Sequence, residues 1–385
     1  MRGFASLLAA ELEALAAIDR RRACPEAAGS SRVAIDVAGQ PMLSFCSNDY
    51  LGLASHPTLL AAAVEAASRD GFGASASRLV AGDLPAHREL ERALAGFLDR
   101  PSALVFPSGY QTNVGVLTAL AGRDDLIVSD TLNHASLVDG CRLSRARVEI
   151  YPHGDAAAAR RLLDGSARRR LLVTESLFSM DGDAAPLAAL AEAAAATDSI
   201  LVVDEAHAFG VLGPGGRGLC AAAGVVPDVL IGTLGKAVGA AGGFVAGPRE
   251  LRDLLVNRAR TFVFTTALPP PVAAAATAAI GLIAGPEGDR RRSLLADRIR
   301  SLGADLLARG LIAQVPPGPI LPVVLGAEAR ALEVATGLRQ RGFFVPAIRP
   351  PTVPAGSSRL RVTLSAAHEP ADVHRFIAAL AECLS

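Results

Sequence analysis

The sequence predicts an α/β protein with a mostly parallel central sheet flanked by helices. Short runs rich in Val, Ile and Leu alternate with longer alanine-rich segments of helical period through the middle of the chain, which is the pattern of βαβ units. At 385 residues the chain is long enough for two or three domains and a large buried core.

Taken in order, "MRGFASLLAAELEALAAI" has helical period and is interrupted by Glu11 and Glu13, so it reads as an amphipathic helix rather than a signal peptide. The short strand pattern "VAIDVAG…PMLSF" follows, and residues 1–55 form a separate N-terminal segment. Six apolar runs then predict strands: "SALVF", "DLIVSD", "RLLVTE", "ILVVDE", "DVLIGT" and "GGFVAG". Helical patterns such as "HRELERALAGFL" and "PLAALAEAAAAT" lie between them. The cluster "AGPEGD" at 284–289 marks a boundary, giving a large domain over 56–287 and a C-terminal domain over 288–385. The latter reads as a helix over 290–309, the strand "ILPVVLG", a helix over 327–341 and a final helix from 370.

Composition removes several function classes. Lys plus Arg, 38, equals Asp plus Glu, 38, so no net field favours nucleic acid or an anionic membrane. Arginine runs at 20–22, 168–170 and 290–292 are local, and the last two read as solvated helix ends or loops. Cysteines 24, 46, 141, 220 and 383 stand alone without metal-ligand spacing, which argues against a disulfide framework or a zinc site. The longest uncharged apolar stretch, "PPPVAAAATAAIGLIAG", is alanine-rich and too short to span a bilayer, so a cytoplasmic protein is expected.

Ligands of open α/β sheets bind beyond the carboxyl ends of the strands, and those positions are chemically loaded. "SALVF" is followed by Ser108, Gly109 and Tyr110 opening a helix, where free N–H groups suit a phosphate. Later strand ends lead to His134, to Ser179, to Asp204 with His207, and to Thr233 with Lys236, which is the only lysine in the sequence. An aspartate, two histidines, one lysine and a phosphate cradle on one rim point to pyridoxal 5′-phosphate. That cofactor needs an amine for its aldehyde, an acid for its pyridine nitrogen and a site for its phosphate. Asp204 would face the pyridine nitrogen, His207 the ring hydroxyl and His134 the ring face. Lysine serves as the amine because its pKa can be lowered, whereas arginine stays protonated.

Two other patterns point elsewhere and fail. "DEAH" at 204–207 matches a helicase motif, but the one GK pair, Gly235 and Lys236, lies downstream and is followed by Ala237. "GPGGRG" at 213–218 matches GxGxxG formally, contains Pro214 and reads as a turn.

The chain resembles the α-oxoamine synthases, which are fold-type-I pyridoxal phosphate enzymes that condense an amino acid with an acyl thioester and release carbon dioxide. The resemblance rests on "SNDYLGL" at 47–53, "SASRLVAG" at 75–82 with "HRELE", "PSGYQTN", "NHAS", "ESLFSMDGD", "VDEAHAFGVLGPGGRG", "GTLGKAVGAAGG" and "RLRVTLSAAHE" at 359–369. Ala74 and Ala76 depart from glycines more common in the family. The resemblance implies a smaller α+β C-terminal domain and a homodimer with a shared site, to which Thr265 or Thr266 contributes from the neighbouring subunit. It also implies that Lys236 is base and cofactor ligand, that Ser108 to Tyr110, Thr233 and Ser179 hold the cofactor, and that Arg361, Asn48 and His134 meet the amino acid. "AIRPPTVPAG" at 347–356 and "RRRACP" at 20–25 resemble the family member that acylates L-alanine with a pimeloyl thioester of coenzyme A or acyl carrier protein. Arg21, Arg349 or Thr352 would receive the distal end of that acyl chain. Alternatives are another α-oxoamine synthase, an aminotransferase or carbon–sulfur lyase on the same fold, or a non-catalytic binding protein.

Overall fold

Seven strands form the main sheet of the computed structural model, which describes residues 3–29 and 33–384. In chain order they are β1 (Ser102–Phe106), β2 (Leu126–Asp130), β3 (Arg147–Tyr151), β4 (Arg170–Glu175), β5 (Ile200–Asp204), β6 (Val229–Thr233) and β7 (Gly243–Gly247). Across the sheet the order is β1-β7-β6-β5-β4-β2-β3. Only β7 runs against its neighbours, so the carboxyl ends of the other six lie along one edge. The fold class is the expected one. β3 is the addition: its sequence "RVEIY" alternates polar with apolar residues because it is an edge strand.

The remaining strands are continuous apolar runs because helices cover both faces of the sheet. Ile127, Leu171, Val173 and Val202 pack on one face with Val116, Leu117 and Leu137. The residues beside them, Leu126, Val128, Leu172, Leu201 and Val203, pack on the other with Leu163, Leu187 and Leu190. On the first face lie α1 (Gly109–Leu120) and α2 (Ala135–Ser144). Ser108 caps α1 by accepting the Gln111 N–H at 3.2 Å. The apolar stretch at 269–285 forms the helix Pro270–Ala284, with Ala273, Ala276, Ile280 and Ile283 buried. No helix among the described residues is long and apolar enough to cross a membrane.

The chain divides into two compact units, 48–296 and 1–47 with 297–385. The smaller unit holds a three-stranded antiparallel sheet of Ile320–Gly326, Ser358–Thr363 and Ala347–Ile348. A four-stranded sheet of Ala27–Ala28, Ala34–Val37, Gln40–Ser44 and Phe343–Phe344 joins it, as do the helices Glu328–Gln340 and Pro370–Leu384. Phe45 stacks on Phe376 there, with ring centroids 4.2 Å apart. The N-terminal helix Phe4–Ala17 buries none of its residues.

In the arginine runs at 168–170 and 290–292, Arg168 and Arg290 are exposed, as expected, and each run is tied locally by ion pairs or main-chain bonds. Arg168 pairs with Asp125 at 2.8 Å, and Arg169 and Arg170 donate to main-chain carbonyls. Arg290 and Arg291 pair with Glu287, and Arg292 with Asp289.

Candidate active site

Lys236 lies in the loop after β6, held by hydrogen bonds from Leu234 N–H to the Gly242 carbonyl and from Gly239 N–H to its own carbonyl. Its Nζ is 2.6 Å from His207 Nε2. On the other side of that imidazole, Nδ1 is 2.7 Å from the hydroxyl of Tyr50, which also reaches Asn48 Oδ1 at 3.1 Å. Asn48, Tyr50, His207 and Lys236 are therefore one chain of polar contacts, and Tyr50 is completely buried within it.

Asp204 ends β5. Its Oδ2 accepts from Asn113 Nδ2 at 2.8 Å and its Oδ1 from the Ala206 N–H at 2.9 Å, which fixes the carboxylate plane. Asn113 also donates to Ser136 Oγ at 2.8 Å, and Ser136 Oγ lies 2.7 Å from His134 Nδ1. The His134 main-chain N–H donates to Glu175 Oε1 at 2.6 Å. His134 is accessible at the rim, yet desolvation by surrounding protein, with the Lys236 cation, lowers its pKa against the pull of Asp204. Glu175 stands opposite Asp204 in the β4–β5 register. Burial, and then the charge of Asp204, push its carboxyl up to about 8 against the pull of Lys236.

The candidate phosphate cradle is assembled by β7. Gly243 opposes both Phe106 and Thr233 in register, which brings the start of α1 beside the end of β6. A Cβ on Gly109 would stand 3.3 Å from Thr233 Oγ1, and one on Gly243 only 2.7 Å from the Gly109 nitrogen. The absent side chains therefore leave the first N–H groups of α1 approachable, where the helix dipole favours an anion. Amine, imidazole, carboxylate and anion cradle all lie beyond the strand ends of one unit. This donor set fits pyridoxal 5′-phosphate.

The other expected residues divide by location. Ser179 is buried in the loop after β4. Tyr110 offers its main chain at the cradle, while its hydroxyl donates to Asp139. Thr265 donates to the Thr266 carbonyl at 3.3 Å, and no hydrogen bond among the described residues links either threonine to the Lys236 cluster. In the smaller unit Arg361 is buried on Ser358–Thr363. Arg349 donates to the Asp19 carbonyl, and Arg22 to the carbonyls of Arg349 and Pro350 at 3.3 and 3.1 Å. These contacts bring the segments carrying Arg21 and Thr352 together. Tyr50, Asn113 and Glu175 were not singled out from the sequence, although each stands in or beside a stretch quoted for the resemblance.

Residues 40–380 match the family Aminotransferase class I and II, and the chain belongs to that family. Within it, the chain is 54% identical over 386 residues to 8-amino-7-oxononanoate synthase of Anaeromyxobacter dehalogenans, covering 100% of this chain and 96% of that one. It is 52% identical over 368 residues to the protein of the same name from Bordetella petrii, covering 94% and 92%. Among solved structures, serine palmitoyltransferase from S. paucimobilis with pyridoxal phosphate and myriocin superposes with a TM-score of 0.92 at 30% identity, covering 99% of each chain. 8-Amino-7-oxononanoate synthase from Francisella tularensis superposes with a TM-score of 0.77 at 27% identity, covering 89% of this chain and 98% of that one.

Proposed function

We propose that this protein is a pyridoxal phosphate-dependent acyltransferase that condenses L-alanine with a pimeloyl thioester, releasing carbon dioxide, free thiol and 8-amino-7-oxononanoate, in biotin biosynthesis. The observation that carries the reading is the Lys236–His207–Tyr50 contact chain beside the Asp204 carboxylate, in a chain more than half identical to proteins of that name.

When bound, the cofactor supplies an electron sink for the carbanion formed at the alanine Cα. Lys236 would hold the cofactor through its Nζ, and the same amine is the base that would take the Cα proton. Asp204 keeps a proton on the pyridine nitrogen, and Asn113 keeps Asp204 in line for it. His207, held at Nδ1 by Tyr50, would hydrogen-bond the ring hydroxyl. His134 covers one ring face. The start of α1, Thr233 and Ser179 hold the phosphate. Arg361 and Asn48 would receive the alanine carboxylate, and Arg21, Arg349 or Thr352 the far end of the acyl chain. The working unit is a homodimer in which Thr265 or Thr266 reaches the neighbouring subunit's cofactor.

Free-thiol release from pimeloyl-coenzyme A with L-alanine tests the reading, with glycine and serine as competing amino acids and palmitoyl-coenzyme A as competing donor. Alanine with the pimeloyl donor is expected to be fastest. The likeness to serine palmitoyltransferase supplies the second reading, and preference for serine with the palmitoyl donor would select it.

A further inference from the structure

The loops after β2, β3 and β4 meet at a charge cluster that the reaction above does not use. His153 places Nδ1 3.0 Å from Asp130 Oδ1 and Nε2 2.6 Å from Asp183 Oδ2. A neutral imidazole has one N–H and one bare lone pair, so it would satisfy one carboxylate and turn its lone pair on the other. Only the imidazolium donates from both nitrogens.

Each aspartate anchors a loop. Asp130, buried at the end of β2, also accepts the Leu132 N–H at 2.8 Å and the Gly154 N–H at 3.0 Å. Asp183 closes the loop after β4: its carbonyl accepts the Phe178 N–H at 2.9 Å, and the Phe178 carbonyl accepts the Gly182 N–H at 3.0 Å. The Phe178 ring meets His153 edge-on, with centroids 4.4 Å apart. Ser179 lies inside that loop, and His134 lies two residues beyond Leu132.

We propose that Asp130, His153 and Asp183 form an ionised clamp that ties three loops together and presets Ser179 and His134 for the cofactor. His153 is a positioning residue, and the roles of Ser179 and His134 rest on the function proposed above. The charged groups facing the imidazole are the two aspartates. The Tyr151 phenol, kept neutral by burial and by the charge of Asp130, adds none. Hydrogen bonds to Asp130 and then to Asp183 push the His153 pKa up to about 10, against desolvation. Because this lies above the ordinary histidine value, the clamp's contribution is complete below about pH 6.5 and is lost as pH rises through 10.

Two measurements on the holoprotein test the clamp. In protein labelled with 15N-histidine, long-range NMR correlations identify the His153 ring by its loss in His153→Gln or its shift in Asp183→Asn. Both ring nitrogens are expected to carry protons at pH 8 in the wild type, and Asp183→Asn is expected to bring the titration below pH 8. In a pyridoxal phosphate titration followed by visible absorption, His153→Gln is expected to raise the dissociation constant at least tenfold, and Asp183→Asn to raise it as well. If His153→Gln does not fold, Asp183→Asn carries both arms. A neutral His153 at pH 8 in the wild type overturns the ionised clamp, and wild-type cofactor affinity in the variants overturns the positioning role. Failure of the wild type to bind the cofactor at all would sink the proposed function instead, and the NMR arm would still decide the clamp.

Discussion

Replacing Gly243 by alanine probes the cradle most sharply, because the added methyl meets the backbone of Gly109 as well as the Thr112 hydroxyl. Its Cβ would stand 2.4 Å from Thr112 Oγ1, 2.6 Å from Gly109 Cα and 2.7 Å from Gly109 N. Normal carbon contacts are near 3.5–4 Å, so α1 and β7 must separate by about 1 Å. Overpacking of this kind costs typically 1–3 kcal/mol, and with two backbone atoms in the way we expect about 3 kcal/mol. For a chain of this size that lowers Tm by roughly 4 °C. Displacement of the first N–H groups of α1 should also weaken pyridoxal phosphate binding at least ~10-fold, or about 1.4 kcal/mol. Gly109→Ala provides the contrast. Its Cβ meets only Thr233, at 3.3 and 3.4 Å, so apoprotein stability should change by less than ~1 kcal/mol. The methyl nevertheless sits in the cradle and should cost cofactor affinity. Thermal unfolding of the apoprotein and cofactor titration separate the two effects. A Gly243→Ala protein with wild-type Tm and wild-type affinity would refute the steric reasoning and the placement of the phosphate together.

Two further changes test the frame around the site. Ser108→Ala removes the side chain that accepts the Gln111 N–H, and thermal unfolding of the apoprotein should show a loss of about 1 kcal/mol. Glu205 is fully buried, accepts Ser176 O–H at 2.7 Å and the N–H groups of Leu219 and Cys220 at 3.1 and 2.6 Å, and has its pKa raised by burial. Glu205→Ala orphans three buried donors and should cost about 3 kcal/mol or more, read as a lower urea midpoint at unchanged slope. Glu205→Gln, which keeps one acceptor oxygen, should fall between the two.

The parts of the fold legible in the sequence are those in which local pattern and burial coincide. Strands β1, β2, β4, β5, β6 and β7 each carry an unbroken apolar run because both faces of the sheet are covered, and these runs stand out from the alanine-rich helices. β3 was hidden because an edge strand with Arg147 and Glu149 looks like a loop. The candidate site was legible where chemistry follows a strand end. Asp204, His207 and Lys236 needed only that rule and the rarity of lysine. Tyr50 and Asn113 were hidden for a physical reason: in an apolar neighbourhood each reads as core, and their meaning lies in contacts with His207 and Asp204 that no local pattern encodes. Glu175 looked like an ordinary strand end, and only burial beside Asp204 gives it a raised pKa. Arg21, Arg349, Thr352 and Arg361 carry no local signal of function and were singled out through the family resemblance.

The direct test of the central claim is borohydride reduction of the protein reconstituted with pyridoxal 5′-phosphate, followed by peptide mass spectrometry. Lysine is needed at 236 because its amine can be neutral, nucleophilic and basic in turn, which arginine cannot match. The account predicts a visible absorption band that reduction abolishes, one phosphopyridoxyl adduct on Lys236, and no adduct in either Lys236→Ala or Lys236→Arg. A colourless wild type after reconstitution, or an adduct that persists in Lys236→Ala, would contradict it.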